Sequence, residues 1–296
     1  MKKILIPLGL ILVAAAGTYL LLARFMAKPA QPVPFSGDSA YQFVLEQLKF
    51  GPRTPGSLAH QLTREYIAEK LRENGWSVEI QKEVLEGHEL YNILARRGNS
   101  GPVTLLGAHY DSRMLASEES CLALAGQAVP GANDGASGVA VLLELARTLP
   151  QTESGQLWLV FFDGEDQGHI DDWGWIQGSR AFAQSMPQVP SRVVILDMIG
   201  DADLQIYREK GSDSTLTDQI WQAAAELGYS DTFVNESKYS ILDDHIPFLE
   251  AGIPAVDIID FDYEWWHTTS DTADKVSSES LEIVGKTITH WLETNP

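Results

Sequence analysis

Val103-Thr-Leu-Leu-Gly-Ala-His-Tyr-Asp-Ser112 and Leu157-Trp-Leu-Val-Phe-Phe-Asp-Gly-Glu-Asp166 share one plan: a short apolar run that ends in imidazole or carboxylate. Neither run alternates apolar with polar along its length, so both faces expect cover, as in the central strands of a sheet flanked by helices. Outward from these lie further strand-like runs at Ser77–Gln81, Tyr91–Arg96, Val193–Ile199 and Ala255–Ile259. Helical spacing recurs at Tyr41–Phe50, Ala59–Asn74, Val139–Leu149, Leu216–Leu227 and Leu281–Leu292. A hairpin-like start (Trp76–Arg96) followed by alternating strand and helix predicts an αβα sandwich around a mixed, mostly parallel central sheet. In such sheets the chemistry collects where strands end at their carboxyl edge.

The residues at those ends are unusual as a set. His109 and Asp111 follow the first run; Asp163, Glu165 and Asp166 follow the second. Asp197 ends a third, Asp134 lies in GANDGASG (131–138), and Asp243-Asp244-His245 and Trp266-His267-Thr268 come late. A single loop acid is ordinarily solvated surface. Several on one edge repel one another unless a cation neutralises them. Imidazole and carboxylate without thiolate suit zinc, and the one cysteine, Cys121, excludes both an internal disulfide and a thiolate cluster. In His109-x-Asp111 the period of two puts both side chains on one side of the strand, where Asp111 can accept the second ring N–H of the histidine.

The 296 residues carry a net charge of −20, which repels phosphate backbones and argues against nucleic acid as a partner. Ile4–Ala23 is an apolar run of 20 residues behind Lys2-Lys3, long enough to span a bilayer. Residues 1–28 therefore read as an uncleaved membrane anchor, a cleaved signal being the alternative, and either places the remainder outside the cytoplasm. Residues 29–36, with three prolines, read as a stiff linker, and 37–296 as a single catalytic domain whose only membrane contact is that N-terminal segment.

From about Leu45 onward the sequence resembles the zinc aminopeptidases and their relatives, the glutaminyl-peptide cyclotransferases. The resemblance rests on HYDS (109–112), GANDGASG (131–138), FFDGED (161–166), GSRAFA (178–183), LDMIG (196–200), DDHIPFLEAGIP (243–254) and WHTTSDT (266–272), in the family's order. It implies an αβα sandwich and makes Asp134, Asp166 and His267 ligands of a principal zinc, with Glu165 as general base and acid. In the two-zinc aminopeptidases the positions of His109 and Asp197 hold a second metal that Asp134 bridges. In the cyclotransferases one zinc suffices and the position of Asp197 assists catalysis. Asp166 departs from the pattern, since both groups usually have Glu there.

Three features resemble the cyclotransferases. Gln167–Gln177 is a tryptophan-containing insertion, the first acid of DDHIPFL (Asp243) hydrogen-bonds the catalytic Glu in that group, and Trp266 directly precedes the histidine and lines the pocket there. Two features point to the aminopeptidases: NDGASG is written in their form, and Asp257 stands where animal cyclotransferases have histidine. The preferred expectation is ring closure of an N-terminal glutamine to pyroglutamate with loss of ammonia. The alternative is hydrolysis of N-terminal residues; both act on peptide or protein N-termini, and a metal-free scaffold role is the third possibility. Glu165 beside Asp243 and Asp197 is expected to have a raised pKa. Asp244 and His245 read as caps of a helix starting near Ile246, Asp257, Asp260 and Asp262 as loop or rim acids, Trp173 and Trp175 as packing, and His169 as exposed.

Overall fold

The helices begin earlier than their apolar periodicity because polar caps set their starts. Ser36 Oγ accepts from Ser39 N (3.3 Å) and opens α1, Gly37–Lys49. Ser57 Oγ accepts from His60 N (3.1 Å) and opens α2, Leu58–Glu73. Each cap satisfies one of the N–H groups that a helix start leaves without an intrahelical partner. The computed structural model describes residues 33–150 and 155–296, so the membrane segment read in 1–28 lies outside the described residues. Among the described residues no helix is long and apolar enough to cross a membrane.

Six strands form the main sheet: β1 (Ser77–Leu85), β2 (His88–Ser100), β3 (Val103–His109), β4 (Gly155–Phe162), β5 (Arg192–Asp197) and β8 (Ala255–Ile259). Their order is β1-β2-β4-β3-β5-β8; β1 and β2 run antiparallel to their neighbours, and the other four are parallel. The expected mixed, mostly parallel sheet is therefore observed. Two short strands that periodicity did not reveal, β6 (Ile206–Arg208) and β7 (Phe233–Ser237), pair separately. The remaining helices are α3 (Ala136–Thr148), α4 (Gln177–Ser185), α5 (Ser214–Glu226), α6 (Ile246–Glu250) and α7 (Ser278–Thr294).

The period of two along each strand divides the core into two layers. Leu106, Ala108, Leu159, Phe161, Val194, Leu196, Val256 and Ile258 face α1, α2, α3, α5 and α7. Leu105, Trp158, Val160, Phe162, Val193, Ile195 and Ala255 face Phe182 of α4 and Phe248 of α6. Each buried Leu, Ile, Val or Phe among them stabilises the fold by about 1.5–3 kcal/mol over the exposed state. This double cover is why β3 and β4 read as unbroken apolar runs.

Register then aligns the polar ends. His109 pairs with Phe162, Gly107 with Ile195 and Asp197 with Ile259, so the strands finish at one level. From β3 the chain proceeds to β4 on one side and later to β5 on the other, which opens a crevice at the carboxyl end of β3.

Helix α3 lies tightly on this edge. A Cβ on Gly138 would sit 2.1 Å from the carbonyl oxygen of Leu196. Gly138→Ala is expected to lower stability by at least about 1–3 kcal/mol, because backbone rather than a flexible side chain is in the way. Denaturant midpoints of the metal-free protein measure this, and an unchanged midpoint would refute the close packing.

Candidate metal and active site

The crevice gathers two groups of ligand atoms that share one residue. His109, Asp134 and Asp197 form one group; Asp134, Asp166 and His267 form the other, and all five residues are buried. Asp134 Oδ1 lies 3.0 Å from His109 Nε2, which is 3.1 Å from Asp197 Oδ1. Its Oδ2 lies 3.8 Å from His267 Nε2, which in turn is 2.8 Å from Asp166 Oδ1. One carboxylate thus turns an oxygen towards each imidazole.

The backbone around these side chains is tightly specified. A Cβ on Gly135 would fall 2.4 Å from His109 Nε2, so only glycine lets the Asp134 loop approach the ring. His267 (φ +55°) and Met198, just after Asp197 (φ +44°), occupy the left-handed region, which costs energy for side chains with a Cβ and persists where surroundings over-determine it. Asp111 lies 3.5 Å from His109 Nδ1, and its carboxylate chiefly accepts from the amides of Glu165 (3.1 Å) and Asp166 (3.2 Å) and from Gln167 Nε2 (2.9 Å). Despite its burial, these bonds and His109 hold Asp111 at about 2. Its main work is to pin the turn that carries Glu165 and Asp166.

The electrostatics are those of an anion cluster. Burial raises Glu165 well above its ordinary range, with Asp243 and Asp244 adding to the shift and His109 opposing it. Burial, helped by Asp243, pushes Asp197 up to about 7. Asp166 Oδ2 is buried with no hydrogen-bond partner among the described residues, and His109 turns Nε2 to Asp134 and Asp197. A cation with oxygen and nitrogen ligands fits this donor set: it offsets the repulsion and satisfies lone pairs that the protein leaves open.

A cavity of about 240 Å³ opens onto these groups, lined by Glu165, Asp243, Ile241, Phe261, Trp175 and Trp266 among others. Trp266 stacks on the His267 ring at 3.7 Å, and Trp175 lies parallel to that ring at 5.9 Å. Trp175, read from the sequence as packing, is thus a wall of the cavity. Trp173 does pack, on His88 (3.8 Å), and His169 is exposed.

The structure corrects other readings. Asp257 is no rim acid: it lies within β8, fully buried, and burial, with the charge of Asp243 adding to it, raises it well above the usual carboxylate range. Asp260 is buried too and accepts from Gln205 N (2.9 Å), whereas Asp262 stays near the surface with Lys238 (2.6 Å). His245 stands at the start of α6 without a side-chain cap bond, because Pro247 sits at the first turn and the ring turns inward to Glu209 (3.3 Å). Asp244 is buried with neither carboxylate oxygen bonded as a cap.

Periodicity and motif gave no sign of Arg53 or Arg113, and Asp271 was assigned no role. The buried Arg53 donates to the carbonyls of Tyr110 (2.9 Å), Pro130 (2.9 Å) and Gly131 (2.6 Å), joining the loops of His109 and Asp134. Asp271 accepts from the amides of Asn133 (2.8 Å) and Asp134 (3.2 Å) and from Tyr263 Oη (2.7 Å). The signal for Asp271 was present, since it lies in the quoted WHTTSDT run.

Comparison with known proteins follows this geometry. The family model described as Peptidase family M28 matches residues 92–292. This chain belongs to peptidase family M28. Glutaminyl-peptide cyclotransferase from Drosophila melanogaster is 29% identical over 276 residues, covering 79% of this chain and 75% of that protein. The glutaminyl cyclase of Tannerella forsythia is 32% identical, with a TM-score of 0.84 over 89% of this chain and 100% of that one. A Zn-dependent exopeptidase from Parabacteroides distasonis is 29% identical, with a TM-score of 0.83 over 90% and 100%. Family membership makes the chain an enzyme of the zinc peptidase and glutaminyl cyclase group, and the candidate ligand groups agree with zinc.

Behind the cavity, Glu209 accepts from Ser212 N (2.7 Å) and Ile241 N (3.1 Å) and lies against His245. Although burial opposes it, these partners lower its carboxyl to about 2. The folded state therefore holds this proton less tightly than the unfolded chain, and the stabilisation is present above about pH 4.5 and lost as pH falls towards 2. Glu209→Gln is expected to be less stable than the parent near neutral pH and to lose less on acidification. Denaturant midpoints across that range check it; parallel curves would contradict it.

Proposed function

We propose that this chain is a zinc-dependent glutaminyl-peptide cyclotransferase, acting on peptide or protein N-termini that begin with glutamine. The observation that carries the reading is the folding of the 167–177 insertion onto the crevice. It sets Trp175 opposite the catalytic acids, so that with Trp266 it walls a cavity of about 240 Å³, sized for one side chain. Such a cavity takes up a terminal residue and excludes water from its amide.

In this reading Asp134, Asp166 and His267 hold the zinc, which supplies Lewis-acid polarisation of a carbonyl. The nucleophile is the α-amine of the substrate, which attacks its own γ-amide carbon. One C–N bond forms, the bond to the amide nitrogen breaks, and ammonia leaves with a pyroglutamyl peptide as product. Glu165 takes the proton from the amine and delivers it to the departing nitrogen; its raised affinity for protons suits both steps. Burial sets that affinity first, and the charges of Asp243 and Asp244 add to it. Holding both reacting groups within one substrate makes the attack intramolecular, which removes the need to activate water.

A second reading, zinc aminopeptidase, is favoured by one observation: the group formed by His109, Asp134 and Asp197 is as complete as the other. Its ligands suit a second metal, with Asp134 shared.

The two readings separate on products. A matched pair of peptides beginning with glutamine and with leucine, analysed by mass spectrometry, is expected to show loss of ammonia from the first and no change in the second. Release of free leucine would replace this reading with the aminopeptidase. Glu165→Gln is expected to lower kcat by at least about 10²-fold with zinc content unchanged, and a variant as active as the parent would remove Glu165 from the chemistry.

A further inference from the structure

We propose that Arg113 and Ser117 are positioning residues that orient Asp166 and His267 together and couple them to the Trp175 wall; this rests on the reading of those two residues as zinc ligands. Arg113 is buried, and each of its donors has a target in or beside the site. Nη1 donates to the carbonyl of Asp166 (3.0 Å) and to its Oδ1 (3.3 Å), Nη2 to the carbonyl of Gly168 (3.1 Å), and Nε to Ser117 Oγ (2.9 Å). The guanidinium carbon lies 4.8 Å from the centre of the Trp175 ring. One side chain thus holds the turn, the wall and a serine.

Ser117 carries the effect to the histidine. Its Oγ lies 3.3 Å from His267 Nδ1. A guanidinium only donates, so the serine oxygen accepts from Arg113; with Nε2 of His267 given over to the metal in this reading, the second lone pair of that oxygen accepts the hydrogen bond from Nδ1–H. That places the ring proton on Nδ1 and leaves the lone pair on Nε2, the atom facing Asp166 Oδ1 and Asp134 Oδ2. An imidazole ligand needs this tautomer, and the partner of its other nitrogen commonly selects it.

The same arrangement answers the short acid at position 166. With one methylene fewer than the Glu that the resemblance leads one to expect, Asp166 depends more on where its backbone stands. Arg113 grips both its carbonyl and Oδ1, while Oδ2 stays buried and unpartnered, free to ligate. The Arg113 guanidinium, 3.3 Å from Asp166 Oδ1, also offsets by its charge the repulsion between Asp166 and Asp134.

Ser117 is exposed, so Ser117→Ala leaves the fold intact. The test is zinc affinity of the full chain by competition with a chelator, together with the melting temperature of the metal-free protein and the kcat and KM for a glutamine-initiated peptide. Ser117→Ala is expected to weaken zinc binding by about tenfold or more with the metal-free melting temperature unchanged, and Ser117→Thr, which keeps the hydroxyl, to restore it. Arg113→Lys keeps the charge but loses the planar fork, and is expected to weaken zinc binding and raise KM together. Parental zinc affinity in Ser117→Ala, or no rescue by Ser117→Thr, would overturn the proposal even if Arg113→Lys failed to fold. A parent chain that binds no zinc would overturn the metal reading itself, and this inference with it.

Discussion

Carboxylates brought together out of water repel one another, and the fold converges on a place where several must be tolerated. Asp134, Glu165, Asp166, Asp197 and Asp243 all line one cavity. Asp134 turns one oxygen to each of two imidazoles, and among the described residues no lysine lines the space. Burial drives Glu165 and Asp197 towards their protonated forms, so without a cation the cluster is strained. A bound divalent ion removes that strain at a stroke, which makes the metal as much a structural partner as a chemical one.

Much of the architecture serves to hold these anions still. Parallel register levels the strand ends at His109 and Asp197. Asp111 bonds the amides beneath Glu165 and Asp166, Asp271 bonds those of Asn133 and Asp134, and Arg53 straps the intervening loops. Each of these links uses a buried polar group to fix a neighbouring one, so the site is specified by a connected network rather than by its ligands alone. The tryptophans Trp175 and Trp266 add a second constraint, the narrowness of a cavity of about 240 Å³.

The sheet and its active edge were legible because burial on both faces leaves an unmistakable apolar run, and β3 and β4 end abruptly in charge. Five helices were legible from spacing and the nine-residue α4 (Gln177–Ser185) was not, nor were helix starts, since Ser36 and Ser57 extend α1 and α2 beyond the first apolar residue. The two-stranded pair at Ile206–Arg208 and Phe233–Ser237 is too short for any period to declare itself. Asp257 was misread because a lone acid in a short strand-like run is ordinarily turned to water, whereas here β8 is buried along its whole length and the carboxylate stays inside, near Asp243. Arg53 and Arg113 escaped because they act through backbone carbonyls, which no side-chain pattern marks. Trp175 escaped because its role depends on how an eleven-residue insertion folds back, a tertiary fact with no local signature.

The claim that the whole account depends on is a metal held between Asp134, Asp166 and His267. Anomalous diffraction at the zinc edge from crystals grown with stoichiometric zinc tests it directly. The account predicts a strong peak within bonding distance of those three side chains, with any second peak lying between His109 and Asp197. A map with no peak beside Asp134 would contradict it.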